Sequence, residues 1–447
     1  MTRILGLILL FLVPTTLLSD DWPQWLGPKR DGVWREKGLV KEFPANLKAM
    51  WRTPIGQGYA GPAVVGDRVF VMDRLRAKDA AGKPAKPTKA GIAGTERVLC
   101  LDAVSGKQLW KREYDCTYKM SYPSGPRVTP VVADGRVYVL GAMGDLQCLE
   151  SKSGEVVWVK NLPKEYELKK TPVWGYAASL LLEGDLLYSL VGGEGRAIVA
   201  FDKKTGKEVW KALTTEEIGY SPPTLVKAGG MTQLLVWLSE SIHGLDPKSG
   251  KVLWTEKYPA DIEPQRPAVN IVTVVPHGRQ LFLTTFYHGP MMLELTNDKP
   301  GAKVLWRGKS NSPEKPDGIH GLMATPAVKD GYLYGVCAMG ELRCIDAKTG
   351  KQQWQTFDLT GGKKSDCGTA FVIPKGDQFL VFNDAGELIL AELTPKGHKI
   401  ISKAKVIEPA EFARGRDVVW SHPALARKCV FVRNDKEIAC FSLAAGK

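Results

Sequence analysis

Nine side chains in this 447-residue sequence have the type and setting to recognise something, and each stands on a loop that departs from an otherwise regular pattern. Tyr59 closes the phrase Gly56-Gln57-Gly58-Tyr59, and Arg127 closes the stretch 118–127. Trp174 and Tyr176 flank Gly175, and Tyr220 follows Gly219. Arg266 precedes Pro267, His320 sits between Ile319 and Gly321, and Trp420 and His422 flank Ser421. Aromatic plates with a few directed polar groups are what a binding surface needs. Tyr59, Tyr176 and Tyr220 share a Gly-Tyr phrase and have a second reading, as plugs that bond to backbone. Catalytic chemistry finds less support. The chain has no G-x-S-x-G, H-E-x-x-H or P-loop phrase, and no spacing pairs a nucleophile with a base. His320 and His422 could face each other across the channel, but two histidines without a fixed carboxylate partner do not make a metal site.

What must position these loops is a repeat. Leu101 to Trp110, Leu149 to Trp158, Phe201 to Trp210, Leu245 to Trp254 and Ile345 to Trp354 are copies of one phrase, an apolar residue, Asp or Glu, a Ser/Thr-Gly turn and Trp. Trp306 ends a stretched copy beginning near Leu293. The tryptophans at 110, 158, 210, 254, 306 and 354 are 48, 52, 44, 52 and 48 residues apart. A period of this size means units that cannot bury their apolar faces alone. Each reads as four short strands joined by Asp-Gly and Ser/Thr-Gly turns, which suits the blade of a propeller. The units run 60–110, 125–158, 177–210, 222–254, 269–306, 324–354 and 368–406. The last keeps its strands, but its tryptophan position is degenerate, near Ile400. Residues 419–441 offer three strands only, beginning at Val419. The missing fourth is expected at the other end, Leu47 to Trp51. The two ends would then share one blade and leave no unpaired edge. The prediction is all-β, an eight-bladed propeller, with seven blades the alternative if the degenerate unit is misread.

Repetition also assigns roles. The turn glycines are there for backbone, the tryptophans are plates between blades, and the turn aspartates are turn-formers. The domain reading is a secretory signal over 1–20, an aromatic segment over 21–46 packed on one face or closing one end of the channel, and a propeller over 47–445. A lysine-rich insert at 77–94 is expected to interrupt the second hairpin of its unit as a mobile surface loop. The signal is inferred from Arg3, the apolar run Ile4 to Val13 and a polar exit. That run is too short to span a bilayer, so the mature protein is expected to be exported, periplasmic or extracellular, soluble, monomeric and without a transmembrane anchor. Net charge is +13, spread over turns and the insert, and no motif points to specific nucleic-acid binding. Of the eight cysteines, Cys100, Cys148, Cys344 and Cys440 share one place in the repeat, where a small buried residue is wanted. A two-residue turn at Asn434-Asp435 would set Cys429 opposite Cys440, and Cys337 and Cys344 could meet diagonally. Buried thiols are the other reading for all eight.

The phrase from Asp346 to Trp354 resembles the tryptophan-docking repeat of the pyrroloquinoline-quinone-like propellers, which include quinoprotein dehydrogenases and BamB-like outer-membrane assembly factors. The opening phrase Asp21 to Gly32 resembles that of exported propellers of planctomycete-type bacteria. The resemblance implies the fold. The enzymes it covers hold their quinone between a tryptophan and a disulfide of adjacent cysteines, and hold calcium with Glu, Asn and Asp. This chain has no Cys-Cys pair. Glu194, Asn270 and Asp366 match in type, but none stands in a matching phrase. The function read from the sequence is a non-enzymatic scaffold or recognition protein without a cofactor, binding an envelope protein or polymer through the rim. A dehydrogenase of alcohols or sugars dependent on pyrroloquinoline quinone and calcium is the alternative.

Overall fold

In the repeated turn, Asp102 Oδ1 accepts from Ser105 N (2.7 Å), Ser105 Oγ (2.7 Å) and Val104 N (3.1 Å), which closes the chain tightly. Gly106 follows with φ of +71°, a conformation that glycine adopts without strain. Asp202 does the same with Thr205 at 2.8 Å. A bulge recurs beside the turn, at Cys100/Leu101, Cys148/Leu149, Ala200/Phe201 and Cys344/Ile345. The turn and bulge together deliver each tryptophan to one face of its blade.

The computed structural model describes residues 20–259 and 263–446. They form eight four-stranded antiparallel sheets, one per blade. Blade 2, for example, consists of Val131–Ala133, Arg136–Leu140, Asp145–Glu150 and Val156–Asn161. The eighth blade contains Ala424–Ala426, Cys429–Arg433 and Glu437–Ser442, and its fourth strand is Trp51–Pro54 from the other end of the chain. Trp51 pairs with Cys440 and Pro54 with Glu437. The closing strand thus begins at the tryptophan, where the sequence reading had it end. In the other blades too the tryptophan lies near the start of its strand, because the turn and bulge immediately precede it. The secretory signal expected over 1–20 falls, except for Asp20, outside the described residues.

Trp51, Trp110, Trp158, Trp210 and Trp306 each lie on the turn glycine of the next blade, whereas Trp354 does not reach Gly397. A Cβ on Gly106 would come within 2.5 Å of the Trp51 ring, and one on Gly154 within 2.5 Å of Trp110. The indole N–H donates to the same neighbouring turn, Trp51 to Ala103 O (3.0 Å), Trp110 to Ser151 O (3.1 Å) and Trp306 to Ala347 O (3.0 Å). Trp254 differs. The next blade carries the stretched turn around 295–301, so Trp254 donates instead to Gln233 Oε1 in its own blade (2.6 Å). The residue opposite the tryptophan is small in six blades, Cys100, Cys148, Ala200, Gly244, Cys344 and Cys440, while Trp306 faces Met292. In the degenerate blade Ala391 faces Ile400.

Three local expectations need correction. Cys429 pairs with Ser442, and Phe431 takes the place opposite Cys440. The cause is a four-residue turn, in which Asn434 Oδ1 accepts from Lys436 N (2.8 Å) and Glu437 N (2.7 Å). All eight cysteines are buried free thiols. The first strand of blade 8 starts at Ala424, not Val419. Residues Glu411–Ala413 and Arg416–Val418 form a separate hairpin, held by Arg416 on Asp384 (2.6 Å) and by Val419 N on Asp384 O (2.9 Å). The 77–94 insert does not interrupt its hairpin. Arg68–Arg76 and Gly94–Asp102 pair along their full length, and Arg76 holds the tip through Ala85 O.

The aromatic N-terminal segment crosses the channel. Trp22 exchanges backbone bonds with Val64 of blade 1 (2.8 and 2.9 Å), and Pro23 O accepts from Val132 N of blade 2 (2.9 Å). Trp25 Nε1 donates to Thr273 Oγ1 beside blade 5 (2.9 Å). Arg30 donates to Leu180 O (3.0 Å) and Pro223 O (3.2 Å), at the entrances to blades 3 and 4. Trp34 N reaches Pro374 O of blade 7 (2.9 Å). Trp22, Trp34 and Phe43 are buried. One short segment therefore bonds to blades all round the ring.

Candidate binding site at the channel mouth

Above this segment lies a cavity of about 200 Å³. Its floor is built from Trp25, Phe371 and His422. The imidazole of His422 packs against Trp25 (4.9 Å), Phe371 (4.9 Å) and Trp22 (6.1 Å). Burial pushes its pKa down to about 4, so the ring is a neutral plate at neutral pH. Gly61 passes so close that a Cβ there would lie 2.4 Å from His422 O. Val269, Ile271, Leu322 and Met323 add apolar wall, and Tyr59, Tyr122, Trp174, Tyr220 and Trp420 supply rings. Trp174 and Tyr220 lie 5.2 Å apart, and Tyr122 and Trp420 6.0 Å apart.

Of the nine residues singled out in the sequence, the cavity brings together six: Tyr59, Arg127, Trp174, Tyr220, Trp420 and His422. Tyr176 is instead sealed between blades 2 and 3. It donates to Val191 O (3.3 Å), and its ring lies against Gly144. Arg266 stands on the outer loops, bridging Glu217 (3.2 Å) and Glu240. His320 is fully buried, with Nδ1 at Phe286 O (3.2 Å) and Nε2 at Asp317 Oδ1 (3.3 Å). It ties the 308–318 loop to blade 5, and burial lowers its pKa. A carboxylate three residues upstream therefore partners this histidine. His320 and His422 do not face each other across the cavity, since only His422 lines it.

The sequence reading passed over the hairpin 411–418, which reaches the mouth. Arg414 lines the cavity and pairs with Asp366 at 3.4 Å. Glu411 accepts from Tyr59 Oη and, at 3.2 Å, from Ser124 Oγ. Burial, with Asp435 nearby, raises its carboxyl to about 7, against the opposing pull of the two hydroxyls. Its signal in the sequence was Arg414-Gly415 between two short runs, a hairpin turn that falls between the units 368–406 and 419–441. Trp25 was equally hard to find, because nothing in a sequence shows which end of a ring its leading segment enters.

The polar groups around the cavity are mostly committed to the chain itself. Arg127 lies over the Tyr59 ring (4.9 Å), and its Nη atoms donate to Gly125 O, Ser121 O and Tyr122 O. The Tyr220 hydroxyl accepts from Trp174 N (3.3 Å). Trp420 Nε1 is buried and has no acceptor among the described residues. Among the described residues no three or more His, Cys, Asp and Glu side chains converge as a metal site. Asp366 is taken by Arg414, and Asn270 is buried, donating to Trp237 O (3.2 Å). This donor set does not fit the calcium and quinone of the enzymes that the repeat resembles.

Eight blades and a last blade split between the two ends of the chain define a closed propeller, with the N-terminal segment crossing its channel. The chain belongs to the family described as outer membrane protein assembly factor BamB, whose matches fall on residues 36–161, 94–289 and 239–447. The assembly factor BamB of Yersinia pestis is 22% identical over 351 residues, covering 76% of this chain and 77% of that protein. A polyvinylalcohol dehydrogenase from a Pseudomonas species is 22% identical over 458 residues, covering 78% and 70%. Among solved structures, BamB of Moraxella catarrhalis aligns with a TM-score of 0.57 at 14% identity, covering 90% of this chain and 99% of that one. That likeness is one of fold. The likeness to planctomycete-type propellers stays with the opening phrase alone.

Proposed function

We propose that this chain is a non-enzymatic recognition propeller of the bacterial envelope, which binds a protein or envelope polymer through the mouth of its channel. The observation that carries this reading is the contrast between a repeated outer layer and a mouth lined by unlike residues, among them Arg127, Trp174, Trp420 and His422. Tyr59, Arg127, Trp174, Tyr220, Trp420 and His422 would form the binding surface. Export follows from the leader-like residues 1–20, and among the described residues no helix is long and apolar enough to cross a membrane. A protein partner is favoured because several relatives carry the name of an assembly factor. The dehydrogenase reading has a relative in its favour but lacks the donors described above.

The test has two arms. The purified protein is titrated with pyrroloquinoline quinone and calcium in the presence of an artificial electron acceptor. No turnover is expected, and stoichiometric binding with turnover would overturn the proposal. In parallel, wild type and Trp174→Ala are crosslinked in cells of the source organism. A partner recovered with wild type and lost with the variant is expected. Equal recovery would move the surface away from the mouth.

A further inference from the structure

We infer that Cys429, Cys440 and Met50 form a three-sulfur site for one soft metal ion, Cu(I), at the seam where the two ends of the chain share a blade. None of the three lines the mouth, so the site is independent of the function proposed above.

Three neighbouring strands of blade 8 bring the sulfurs together. Cys429 pairs with Ser442 and Phe431 with Cys440, so the two cysteines lie diagonally on one face of adjacent strands. The Cys440 thiol hydrogen-bonds to the Cys429 sulfur. On the other side of Cys440 runs the closing strand, and Met50, just before it, donates its backbone N–H to Cys440 O (2.8 Å). Met50 Sδ stands 3.8 Å from Cys429 Sγ. A metal–thiolate bond of about 2.3 Å places ligand sulfurs about 3.8–4.0 Å apart in a tetrahedral or trigonal set, and the separation of Cys429 from Met50 matches it.

Blade packing accounts for Cys440, which holds the small place opposite Trp51. It does not account for Cys429. The corresponding positions in other blades are Arg68, Arg136, Leu186 and Tyr332, so no thiol is required there. The hydrogen bond from Cys440 draws the Cys429 thiol below its usual range against burial, and Arg427 adds to that pull. A thiolate is the form that binds metal, and binding displaces the remaining thiol proton. Two thiolates and a thioether are soft donors, which suit Cu(I). Structural zinc takes four ligands from Cys, His and carboxylates, and among the described residues no such side chain completes a set of three with this pair. The nearby Glu36 carboxylate accepts from Trp34 Nε1 (3.0 Å) and Lys428 N (2.8 Å). Met50 is 52% exposed, which leaves the ion a path from solvent. A bound ion would clip the entering end of the chain to its last blade.

The test uses the mature full-length protein, reduced and free of oxygen, titrated with Cu(I) against the coloured chelator bicinchoninate. The protein should withdraw one equivalent of copper, X-ray absorption should show ligation by sulfur alone, and the melting temperature should rise with that equivalent. Cys429→Ala should abolish the withdrawal and the rise. Cys440→Ala should do the same and still fold, since Ala200 faces Trp210 at the equivalent place in blade 3. Met50→Leu keeps the apolar bulk and should weaken Cu(I) by roughly tenfold or more. Zn(II) should raise the melting temperature less than Cu(I) does. Should Cys429→Ala fail to fold, Met50→Leu and the order of the two metals still decide. No withdrawal of copper, unchanged affinity in Cys429→Ala or Met50→Leu, tighter binding of Zn(II) than of Cu(I), or a Cys429–Cys440 disulfide in protein drawn from native cells would each overturn the inference. The Trp174→Ala crosslinking bears on the mouth alone, so the two readings fail separately.

Discussion

The outer layer and the mouth are built by opposite rules. In the outer layer, Trp51 on Gly106, Trp110 on Gly154 and Trp210 on Gly250 are one contact made repeatedly. At the mouth Tyr59 and Tyr220 share a Gly-Tyr phrase, but the other lining loops differ from one another, and Trp25 of the floor comes from a segment outside the repeat. Packing between like blades has one solution, so it recurs. Recognition of one ligand by a ring needs asymmetry, so it cannot recur.

The widest separation between the two regions should appear in stability. Trp51→Ala removes the plate of the closing strand and its bond to Ala103 O, and should cost roughly 3–5 kcal/mol, the usual range for a buried aromatic. Denaturant unfolding measures it. A loss below about 1 kcal/mol would mean that ring closure does not depend on this layer. Gly154→Ala and Gly135→Ala sharpen the point, since φ is +76° and +74°. A Cβ at Gly154 meets Trp110 at 2.5 Å, whereas one at Gly135 meets nothing within 4 Å. Gly135→Ala should cost the backbone strain alone, about 1–2 kcal/mol, and Gly154→Ala about 1–3 kcal/mol more for overpacking. Equal losses would show that the glycines answer only to the turn.

The mouth should report itself through pH. His422 is held near 4 by burial, below an unfolded value of about 6.5. Acidification from about 6.5 towards 4 protonates the unfolded chain first, so stability falls across that window, by roughly 3 kcal/mol in full. His422→Phe should flatten it. Glu411 is raised to about 7. Its contribution is present below about 4.5 and lost as pH rises towards 7, and Glu411→Gln should remove a slope of about 1–2 kcal/mol after solvent screening. Melting temperatures across pH 4–8 check both. A variant that tracks wild type would remove its residue from the buried mouth.

Arg266→Ala should have the smallest effect, under about 1 kcal/mol, because Arg266 and Glu240 are exposed and the less exposed Glu217 keeps its bond from Ala268 N. The same change should leave partner recovery in the crosslinking intact. A lost binding signal would extend the site to the outer loops.

The contrast also explains how far the sequence could be read. Blade number, the split blade and the role of Cys148 opposite Trp158 follow from a pattern written several times over. Trp254 bonding within its own blade follows only once the stretched turn at 295–301 is seen to have lost its neighbour's acceptor. Six mouth residues were found because they break the pattern. Tyr176 and His320 break it for a different reason, since one is packed between blades and the other ties down a loop. Local sequence does not distinguish a side chain that turns inward from one that faces the channel. Arg414 and Glu411 were missed because their hairpin lies between units, and Trp25 because its neighbours in space are some 250 or more positions away in the chain.

The pairing of Trp51 with Cys440 has a kinetic meaning. The strand that completes the ring emerges among the first and waits for a partner made among the last. Until nearly the whole chain has been delivered, the early blades stack as an open arc with two raw edges. Loop closure over so many residues adds only slowly growing entropy, but contacts of such long range form late. The arc must therefore be kept from pairing with other chains during that wait, and a protein truncated before Glu437 would remain in the open, adhesive form.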